Sequence, residues 1–353
     1  MTKEKELLAL KELRQKIDYL DFKIIDCLQE RMSVARDVAH YKVEKCLPLT
    51  HPVREQEVLQ SLKEHVSNDS LNTKIEDLYE LIFQCSKKEQ TAVFLKYLDR
   101  YKAPKSIGII GCGNFGKMLI NLFRRVIPSC ELRIYDVEPK QITTNQTSLD
   151  QVVTSEWLIL AVPIPALKNV LIQIKDIVPK NTLVVDVCSV KVYPVKWMQE
   201  ILRNKCQIIA SHPMFGPEST LNANTFEDLN LMLHNVSADE IAYKHYREFW
   251  TLMGVNIVEI TPEQHDKYAA YTINYNHFIG RVGEMVGICP TPIDTRGFRI
   301  VYKALQYVTR DTWELFYSMQ LYNPYASEML KKVSDCVKEL QDKLDLNHEG
   351  IES

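Results

Sequence analysis

Apolar residues near the start of the chain recur at alternating intervals of three and four. This run comprises Leu10, Leu13, Ile17, Leu20, Ile24 and Leu28. The spacing predicts one apolar stripe on a long helix, which Pro48 should end. Further helical patterns begin near Val53 and Leu71, the last reaching Gln90. Residues 1–95 are therefore predicted to form an all-α domain, and since three unequal helices rarely fill a core alone, we expect this segment to dimerise.

From residue 104 the pattern changes to short β-branched runs that alternate with helical stretches. Seven runs predict strands: Ile107–Ile110, Leu132–Tyr135, Leu158–Val162, Thr182–Val187, Gln207–Ala210, Leu229–Leu233 and Val255–Ile260. Such alternation predicts a mostly parallel sheet covered on both faces. Helical periodicity returns after Pro262. The chain is thus predicted to be multidomain, with an all-α domain (1–95), an α/β domain (104–261) and a helical C-terminal domain (262–353).

Composition narrows the functional class. The 353 residues include 46% hydrophobic and 25% charged residues with a net charge of -3, which argues against disorder and against a nucleic-acid or anionic-membrane partner. The most apolar stretch, Trp157–Leu167, contains two prolines and is too short to cross a bilayer. No signal peptide is visible, and the nine scattered cysteines show no C-x-x-C pair or metal-ligand spacing. We expect a cytoplasmic enzyme or binding protein without a metal.

A glycine-rich turn follows the first predicted strand. Its sequence is Gly111-Cys-Gly113-Asn114-Phe115-Gly116, and a helical pattern follows it. The next strand ends in Asp136, twenty residues beyond Gly116, where a Rossmann fold places the acid that binds the adenosine ribose. These residues predict a dinucleotide site.

The identity of the dinucleotide depends on charge. An acid at position 136 would repel a 2′-phosphate, so NAD is favoured over NADP. Arg133 and Lys140 lie nearby in the sequence and leave that preference open.

Residues with catalytic potential follow the later strands. Ligands bind outside the carboxyl ends of parallel strands, and Val162 with Pro163 should contact the cofactor there. Ser189 and His212 end the next two predicted strands, so we expect them to meet near the nicotinamide. His212 can accept the proton of a substrate hydroxyl as hydride leaves the same carbon, while Ser189 binds that oxygen or orients the imidazole.

These strings resemble the prephenate/arogenate dehydrogenases of tyrosine biosynthesis over about residues 105–330. The resemblance rests on Gly-Cys-Gly-Asn-Phe-Gly, Asp-Val-Cys-Ser-Val-Lys, His-Pro-Met-Phe-Gly-Pro-Glu-Ser, Glu-Gln-His-Asp-Lys-Tyr-Ala-Ala (residues 263–270) and Thr-Pro-Ile-Asp. Several of these strings are closer to the plant-type arogenate enzymes. It implies that His212, assisted by Ser189, accepts the proton of the ring hydroxyl while the ring carboxylate leaves as carbon dioxide. Thr220 departs from the family, which usually has glycine there.

The same resemblance suggests how the substrate is bound. It implies that Arg296, or alternatively Arg299, binds a substrate carboxylate. It also places His265 and His277 near the substrate and a tyrosine-inhibition site.

The N-terminal helices carry a set of polar residues of their own. Arg31 and Lys42 are eleven residues apart and share a helix face. Arg54 and Glu55 begin the second helix, and Ser86 and Gln90 lie one turn apart on the third. The pattern suits a dianionic ligand, but the charge pattern alone favours a solvated charged face.

Residues 6–92 resemble the helical chorismate mutases. The matching residues are Leu13-Arg14, Glu30-Arg31, Lys42, Arg54-Glu55 and the Ser86/Gln90 pair. The resemblance implies that Arg14 of a partner subunit, Arg31 and Arg54 bind two carboxylates, with Ser86 assisting. It also implies that Lys42 and Gln90 bind the ether oxygen and Glu55 the ring hydroxyl. His51 replaces a residue that is often acidic or polar in the family.

The two resemblances support each other, because the mutase product, prephenate, is the dehydrogenase substrate. We therefore expect a homodimeric, NAD-dependent bifunctional enzyme with chorismate and prephenate as substrates and tyrosine as a possible inhibitor. Three alternatives stay open: a preference for arogenate, an N-terminal segment that only dimerises or senses tyrosine, and a Rossmann protein that binds NAD as a sensor.

Overall fold

The computed structural model describes residues 3–45, 47–67, 69–98, 101–138, 146–217, 226 and 229–348. The chain divides into two compact units. One contains residues 1–102, 222–230 and 245–257, and the other contains residues 103–221, 231–244 and 258–353. The predicted domain boundaries at residues 95 and 261 stay a prediction. Lys140 and Thr220, which figured in the sequence analysis, lie outside the described residues.

The N-terminal segment is helical, as expected. Its helices are α1 (Lys3–Glu44), α2 (Pro52–His65), the single turn α3 (Asp69–Asn72) and α4 (Ile75–Leu98). Helix α2 begins after His51, whose ring nitrogen accepts a hydrogen bond from the Arg54 amide. The helix expected from Leu71 instead begins at Ile75, because a separate turn precedes it.

Packing in this segment is concentrated at one end of α1. Ala39, Leu49, Val93 and Phe94 form a small buried cluster. The predicted apolar stripe is exposed in this single chain: Leu13, Ile17 and Ile24 are each more than half exposed. The N-terminal half of α1 therefore presents an uncovered apolar face.

All seven predicted strands are present. They are β1 (Ser106–Ile110), β2 (Glu131–Tyr135), β3 (Trp157–Leu160), β4 (Leu183–Asp186), β5 (Gln207–Pro213), β6 (Asn230–Asn235) and β7 (Asn256–Glu259). Their order in the sheet is β2-β1-β3-β4-β5-β6-β7. Strands β1 to β5 are paired in parallel, whereas β6 runs antiparallel to β5.

Strand β5 extends beyond its predicted end at Ala210. The antiparallel neighbour β6 pairs Ser211 with Leu233, His212 with Met232 and Pro213 with Leu231. This pairing keeps the backbone extended past the point where the apolar run stops. His212 is therefore held within the strand, two residues beyond its predicted end.

Helices alternate with the strands and then continue to the C-terminus. They are α5 (Asn114–Val126), α6 (Leu149–Val152), α7 (Ile164–Ile174), α8 (Val192–Leu202), α9 (Glu240–Leu252), α10 (Pro262–Ala269), α11 (Tyr275–Val286), α12 (Arg296–Thr309), α13 (Trp313–Tyr322) and α14 (Ala326–His348). A π-helical turn, Ala270–Asn274, joins α10 to α11. Within the described ranges, no helix is long and apolar enough to span a membrane.

Helices α11 and α12 approach each other closely. A Cβ atom on Gly280 would lie 2.1 Å from Val308 Cγ2, and one on Gly283 would lie 3.0 Å from Leu305 Cδ1. Only glycine permits this backbone separation without a shift of the neighbouring helix.

Candidate active sites

The glycine turn between β1 and α5 is shaped by its lack of side chains. Gly111 has a φ of 104°, which favours glycine, and a Cβ there would lie 2.3 Å from the Ala161 carbonyl oxygen. A Cβ on Gly116 would lie 2.0 Å from the Gly111 carbonyl oxygen, whereas one on Gly113 would meet nothing within 4 Å. The backbone at Gly113 is thus open to a ligand.

The surroundings of this turn fit a dinucleotide. Gly113 is the N-cap of α5 and offers no side-chain cap, so the first amides of the helix, from Asn114 and Phe115 onward, can meet a pyrophosphate. The Asp136 carboxylate accepts a hydrogen bond of 2.6 Å from the Cys112 amide, which places it against the turn. Its remaining lone pairs can accept ribose hydroxyls.

Two further observations bear on the cofactor. Val162 Cγ1 lies 3.1 Å from the position of a Cβ on Gly111, so Val162 borders the turn, and Pro163 follows it as the N-cap of α7. Arg133 forms two hydrogen bonds with the Glu131 carboxylate, at 2.9 and 2.8 Å. Because this guanidinium already has a carboxylate partner, the arrangement favours NAD over NADP.

His212 belongs to a buried chain of polar side chains. Its Nδ1 lies 2.8 Å from His265 Nε2, and His265 Nδ1 lies 2.8 Å from Asp266 Oδ1. Asp266 also accepts hydrogen bonds from the Lys191 and Val192 amides at 2.8 and 2.9 Å. Its carboxylate therefore joins α10 to the start of α8.

A buried ion pair lies beside this chain. Lys191 and Asp186 are both fully buried, and the Lys191 ammonium binds both carboxylate oxygens and the Ser211 carbonyl. Lys191 thus connects the end of β4, the residue before His212 on β5 and, through its amide, Asp266. A buried pair of this kind holds its neighbours in a fixed arrangement because separating it leaves an unpaired charge.

Burial controls the ionisation of these groups. It holds the pKa of His212 well below its usual value, and His265 and Lys191 act in the same direction. Burial also lowers the pKa of His265, although the Asp266 hydrogen bond opposes the shift. Burial raises the pKa of Asp186 to about 6 against the effect of Lys191. At neutral pH both imidazoles are therefore uncharged and able to accept protons.

The other residues predicted for this candidate site form no hydrogen bond with His212 within the described part of the chain. Ser189 Oγ is buried and makes no hydrogen bond within the described part of the chain, so the contact that orients the imidazole comes from His265. Arg296 is exposed at the start of α12, and Arg299 donates to the Asp294 carbonyl at 3.2 Å. His277 Nε2 lies 3.6 Å from Asp311 Oδ2, and burial lowers the pKa of His277 to about 4, with Arg281 acting in the same direction.

Several predicted polar residues of the helical segment lie close together in pairs along the C-terminal part of α1. Arg31 donates a hydrogen bond to Ser86 Oγ, and Lys42 Nζ lies 3.1 Å from Gln90 Oε1. Lys42 also donates to the Leu49 carbonyl. Burial lowers the pKa of Lys42, while Glu55 raises it in part. Four of the predicted residues are thus brought together in two pairs.

The remaining predicted residues of this segment are placed differently. Glu55 Oε1 lies 3.3 Å from Lys87 Nζ, a largely buried lysine that the sequence analysis missed. The Arg54 side chain is 67% exposed and pairs with Glu57 at 3.1 Å. Arg14 is exposed on the N-terminal half of α1. Neither arginine reaches the Arg31 pair among the contacts of the described residues.

Comparison with protein families identifies both parts of the chain. Residues 13–91 match the model for chorismate mutase type II, and residues 136–259 match the nucleotide-binding domain of prephenate dehydrogenase. The chorismate mutase of Methanocaldococcus jannaschii is 37% identical over 70 residues, which are 19% of this chain and 71% of that protein. The chain therefore belongs to the chorismate mutase family. Residues 282–352 of this family member also match a TYRAAT1-like C-terminal domain.

Two longer relatives match two thirds or more of the chain. Arogenate dehydrogenase 1 of Arabidopsis thaliana is 29% identical over 250 residues, which are 67% of this chain and 39% of that protein. The T-protein of Enterobacter agglomerans is 24% identical over 270 residues, covering 76% of this chain and 68% of that protein. The chain therefore spans about two fifths of the length of the Arabidopsis relative.

A solved structure shares the fold. The prephenate dehydrogenase of A. aeolicus, crystallised with hydroxyphenyl propionate and NAD+, superimposes with a TM-score of 0.57 at 18% identity. The match covers 70% of this chain and 93% of that one. The predicted order of a helical domain, a Rossmann-type domain and C-terminal helices is confirmed.

The groups that support His212 were not predicted from the sequence. Asp266 and Lys191 lie inside the strings that carry the dehydrogenase resemblance, but no role was assigned to them. One signal was available: Asp186 ends a fully apolar strand, and a buried acid requires a partner. The catalytic and binding roles expected for the individual residues stay predictions.

Proposed function

We propose that this chain is a bifunctional enzyme that rearranges chorismate to prephenate and oxidatively decarboxylates prephenate to 4-hydroxyphenylpyruvate with NAD. The carrying observation is the buried imidazole of His212, which is held on β5 by His265. It lies in the same unit as an open glycine turn that follows β1. A neutral, oriented imidazole at the edge where a dinucleotide binds suits the oxidation of a hydroxyl group.

In the dehydrogenase reaction His212 is the proton acceptor. It takes the proton of the ring hydroxyl as the carbon–hydrogen bond at that carbon breaks. Loss of the ring carboxylate as carbon dioxide leaves its electron pair in the ring, which becomes aromatic, and the proton returns to the phenol oxygen. Gly111, Gly113, Gly116 and Asp136 would hold NAD, which would supply the acceptor for the hydride. Ser189, whose hydroxyl has no partner among the described residues, donates to the reacting oxygen.

A cation must hold the carboxylates of the dehydrogenase substrate. Arg296 and Arg299 are the candidates, and both are exposed on the first turn of α12. The bidentate geometry of a guanidinium suits a carboxylate. His277 is proposed to lie near the substrate, with tyrosine as an inhibitor at the same place.

In the mutase reaction the helical segment acts by electrostatics and restraint. The rearrangement breaks one carbon–oxygen bond and forms one carbon–carbon bond within a single molecule. Lys42 and Gln90, already hydrogen-bonded to each other, stabilise the charge that develops on the ether oxygen. Arg31 with Ser86 binds one carboxylate, Arg54 binds the other, and Glu55 binds the ring hydroxyl. Confining the substrate in the reactive conformation provides the remaining acceleration.

A second copy of the chain completes the mutase site in this proposal. Arg14 and Arg31 are separated by seventeen residues of one continuous helix, a rise of about 26 Å. Both therefore cannot grip one small ligand from the same subunit. Pairing of the exposed stripe on α1 between two chains would bring Arg14 across and cover the apolar face. The assembly is proposed to be a homodimer in the cytoplasm.

Arogenate is the second candidate substrate for the dehydrogenase half. The observation that favours it is the 34% identity over 159 residues to arogenate dehydrogenase 2 of Arabidopsis thaliana, higher than that to the T-proteins. In this alternative, the N-terminal segment is only a dimerisation or regulatory module.

One coupled assay tests the proposal. Purified protein is supplied with chorismate and NAD, and NADH and 4-hydroxyphenylpyruvate are followed together. We expect both products in equal amounts, whereas chorismate that is not consumed would contradict the mutase half. Two parallel assays, one with prephenate and one with arogenate, measure the substrate preference of the dehydrogenase half. A strong preference for arogenate would overturn the substrate assignment.

A further inference from the structure

His212, His265 and Asp266 form a series of hydrogen-bonded side chains. Hydrogen-bonding rules determine which group donates and which accepts at each step of this series. Asp266 accepts from the Lys191 and Val192 amides. Both carboxylate oxygens are thus acceptors, and Oδ1 also faces His265 Nδ1, which must therefore carry a hydrogen. His265 is uncharged, so its Nε2 holds a lone pair. His212 Nδ1, 2.8 Å away, must then donate to that lone pair.

This order of donors fixes the reactive end of His212. If Nδ1 of the neutral ring carries the hydrogen, Nε2 carries none and is a proton acceptor. The opposite tautomer would place two lone pairs against each other between the histidines. Among the described residues, no group hydrogen-bonds to His212 Nε2, which leaves this nitrogen available.

We infer that His265 and Asp266 are positioning residues that hold His212 in the tautomer with a free Nε2, and that Lys191 keeps them in register. The inference rests on the proposed dehydrogenase function. It assigns His265 a place behind the catalytic imidazole, in contrast to the substrate contact expected from resemblance. His265 is 1% exposed and Asp266 is fully buried, which suits a support and does not suit a substrate ligand.

Asp266, the last member of this hydrogen-bonded series, is itself held in place by several hydrogen bonds. Its side chain is held by two amides at the start of α8, and its carbonyl accepts a hydrogen bond of 2.8 Å from Asn323 Nδ2. Lys191 contributes one of those amides and also binds Asp186 and the Ser211 carbonyl. The backbone next to His212 and the carboxylate behind His265 are therefore fixed by one residue.

This arrangement also stabilises the charge formed during the reaction. When His212 takes the proton of the substrate hydroxyl, its ring becomes an imidazolium whose Nδ1 still donates to His265. The Asp266 carboxylate stabilises that cation through His265, which is hydrogen-bonded to both groups. The same division of labour makes a carboxylate behind a catalytic histidine effective in serine proteases.

The tautomer can be measured without any substrate. The full-length protein is labelled with nitrogen-15 in its histidine rings, and the spectrum at pH 7.5 is compared with that of His212→Asn to assign the His212 signals. We expect Nδ1 of His212 to be protonated and Nε2 to be bare. A protonated Nε2 on His212 would overturn the inference.

A pair of variants at position 265 tests the consequence for catalysis. His265→Leu removes the acceptor, and we expect kcat for NADH formation to fall about 100-fold with the KM for substrate and the affinity for NAD within about twofold. His265→Gln retains an oxygen near the position of Nε2, so we expect kcat within about tenfold of wild type. His234→Gln, at a half-buried histidine on β6, is the matched control and should leave kcat unchanged.

The outcomes separate this inference from the proposed function. If wild-type protein forms no NADH from prephenate or arogenate, the proposed function fails, while the ring spectrum still reports the tautomer. A wild-type enzyme that is active together with a His265→Leu variant within twofold of its kcat would refute the positioning role. If His265→Leu does not fold, the His265→Gln variant and the wild-type spectrum decide.

Discussion

The two candidate sites of this chain are built on opposite plans. In the helical site, cations outnumber carboxylates among the described side chains, with Arg31, Lys42 and Lys87 against Glu55, and several groups reach solvent. In the sheet site, the chain from His212 to Asp266 is buried and each member already has its partner. In the proposed function, the helical site needs an anionic ligand to balance its cations. The hydrogen bonds of the sheet site are formed before any ligand binds.

The difference suits the chemistry that we propose for each site. A rearrangement of a dianion needs positive charge that the ligand itself neutralises, so an excess of cations over carboxylates is tolerated at a partly open surface. Removal of a proton needs a neutral base with one chosen nitrogen free, and this requires a fixed hydrogen-bond order. Substitutions should therefore separate the two sites cleanly.

The largest effect is expected from His212→Asn. Loss of the proton acceptor should reduce NADH formation about 10²- to 10⁴-fold while chorismate consumption stays at the wild-type rate. Stopped assays of both reactions on one preparation measure this, with His234→Asn as the control. A variant that keeps full NADH production would support the NAD-sensor alternative.

Lys42→Met tests the helical site in the same way. Loss of this ammonium from the ether oxygen should slow chorismate consumption about 10²- to 10³-fold, with NADH formation from added prephenate unchanged. The matched control is Arg36→Met, since Arg36 forms an exposed ion pair with Glu89 at 2.9 Å and should change the rate less than about twofold. A rate of chorismate consumption that is unchanged from a substantial wild-type rate would mean that the mutase site is misassigned.

Asp136→Asn should weaken the cofactor site by a smaller factor. A hydrogen bond to a charged group is worth about 1.5–3 kcal/mol, so we expect the dissociation constant for NAD to rise about 10- to 100-fold. Calorimetry with NAD measures this directly, and Glu138→Gln provides a nearby control. If NADP binding weakens equally in Asp136→Asn, the carboxylate does not select between the two cofactors.

The smallest effect concerns acid stability of the sheet-containing unit. Burial lowers the pKa of His277 to about 4, below the usual value of about 6.5. Between these values the unfolded chain binds a proton that the folded chain does not, so stability is full above pH 6.5 and declines as the pH falls toward 4. The loss of melting temperature from pH 7 to pH 5 should therefore be a few degrees smaller in His277→Asn than in wild type. An equal loss in both proteins would contradict the burial of His277.

The sequence predicted elements better than it predicted partners. Strand identities followed from apolar runs, but the end of β5 depended on pairing with β6, about twenty residues away in the chain. The contact between His212 and His265 joins residues 53 apart, and no local pattern signals it. Lys87 resembles any lysine on a helix surface until α2 brings Glu55 beside it. Side-chain partners depend on tertiary packing, which periodicity does not encode.

The close approach of α11 and α12 limits how this part of the molecule can diverge. A methyl group at position 280 would collide with Val308, whose branched side chain is stiff and buried. A larger residue at position 280 is tolerable only alongside a smaller one at position 308. Among homologues these two positions are expected to covary or to stay fixed, so evolutionary records of the pair would report directly on the spacing of the two helices.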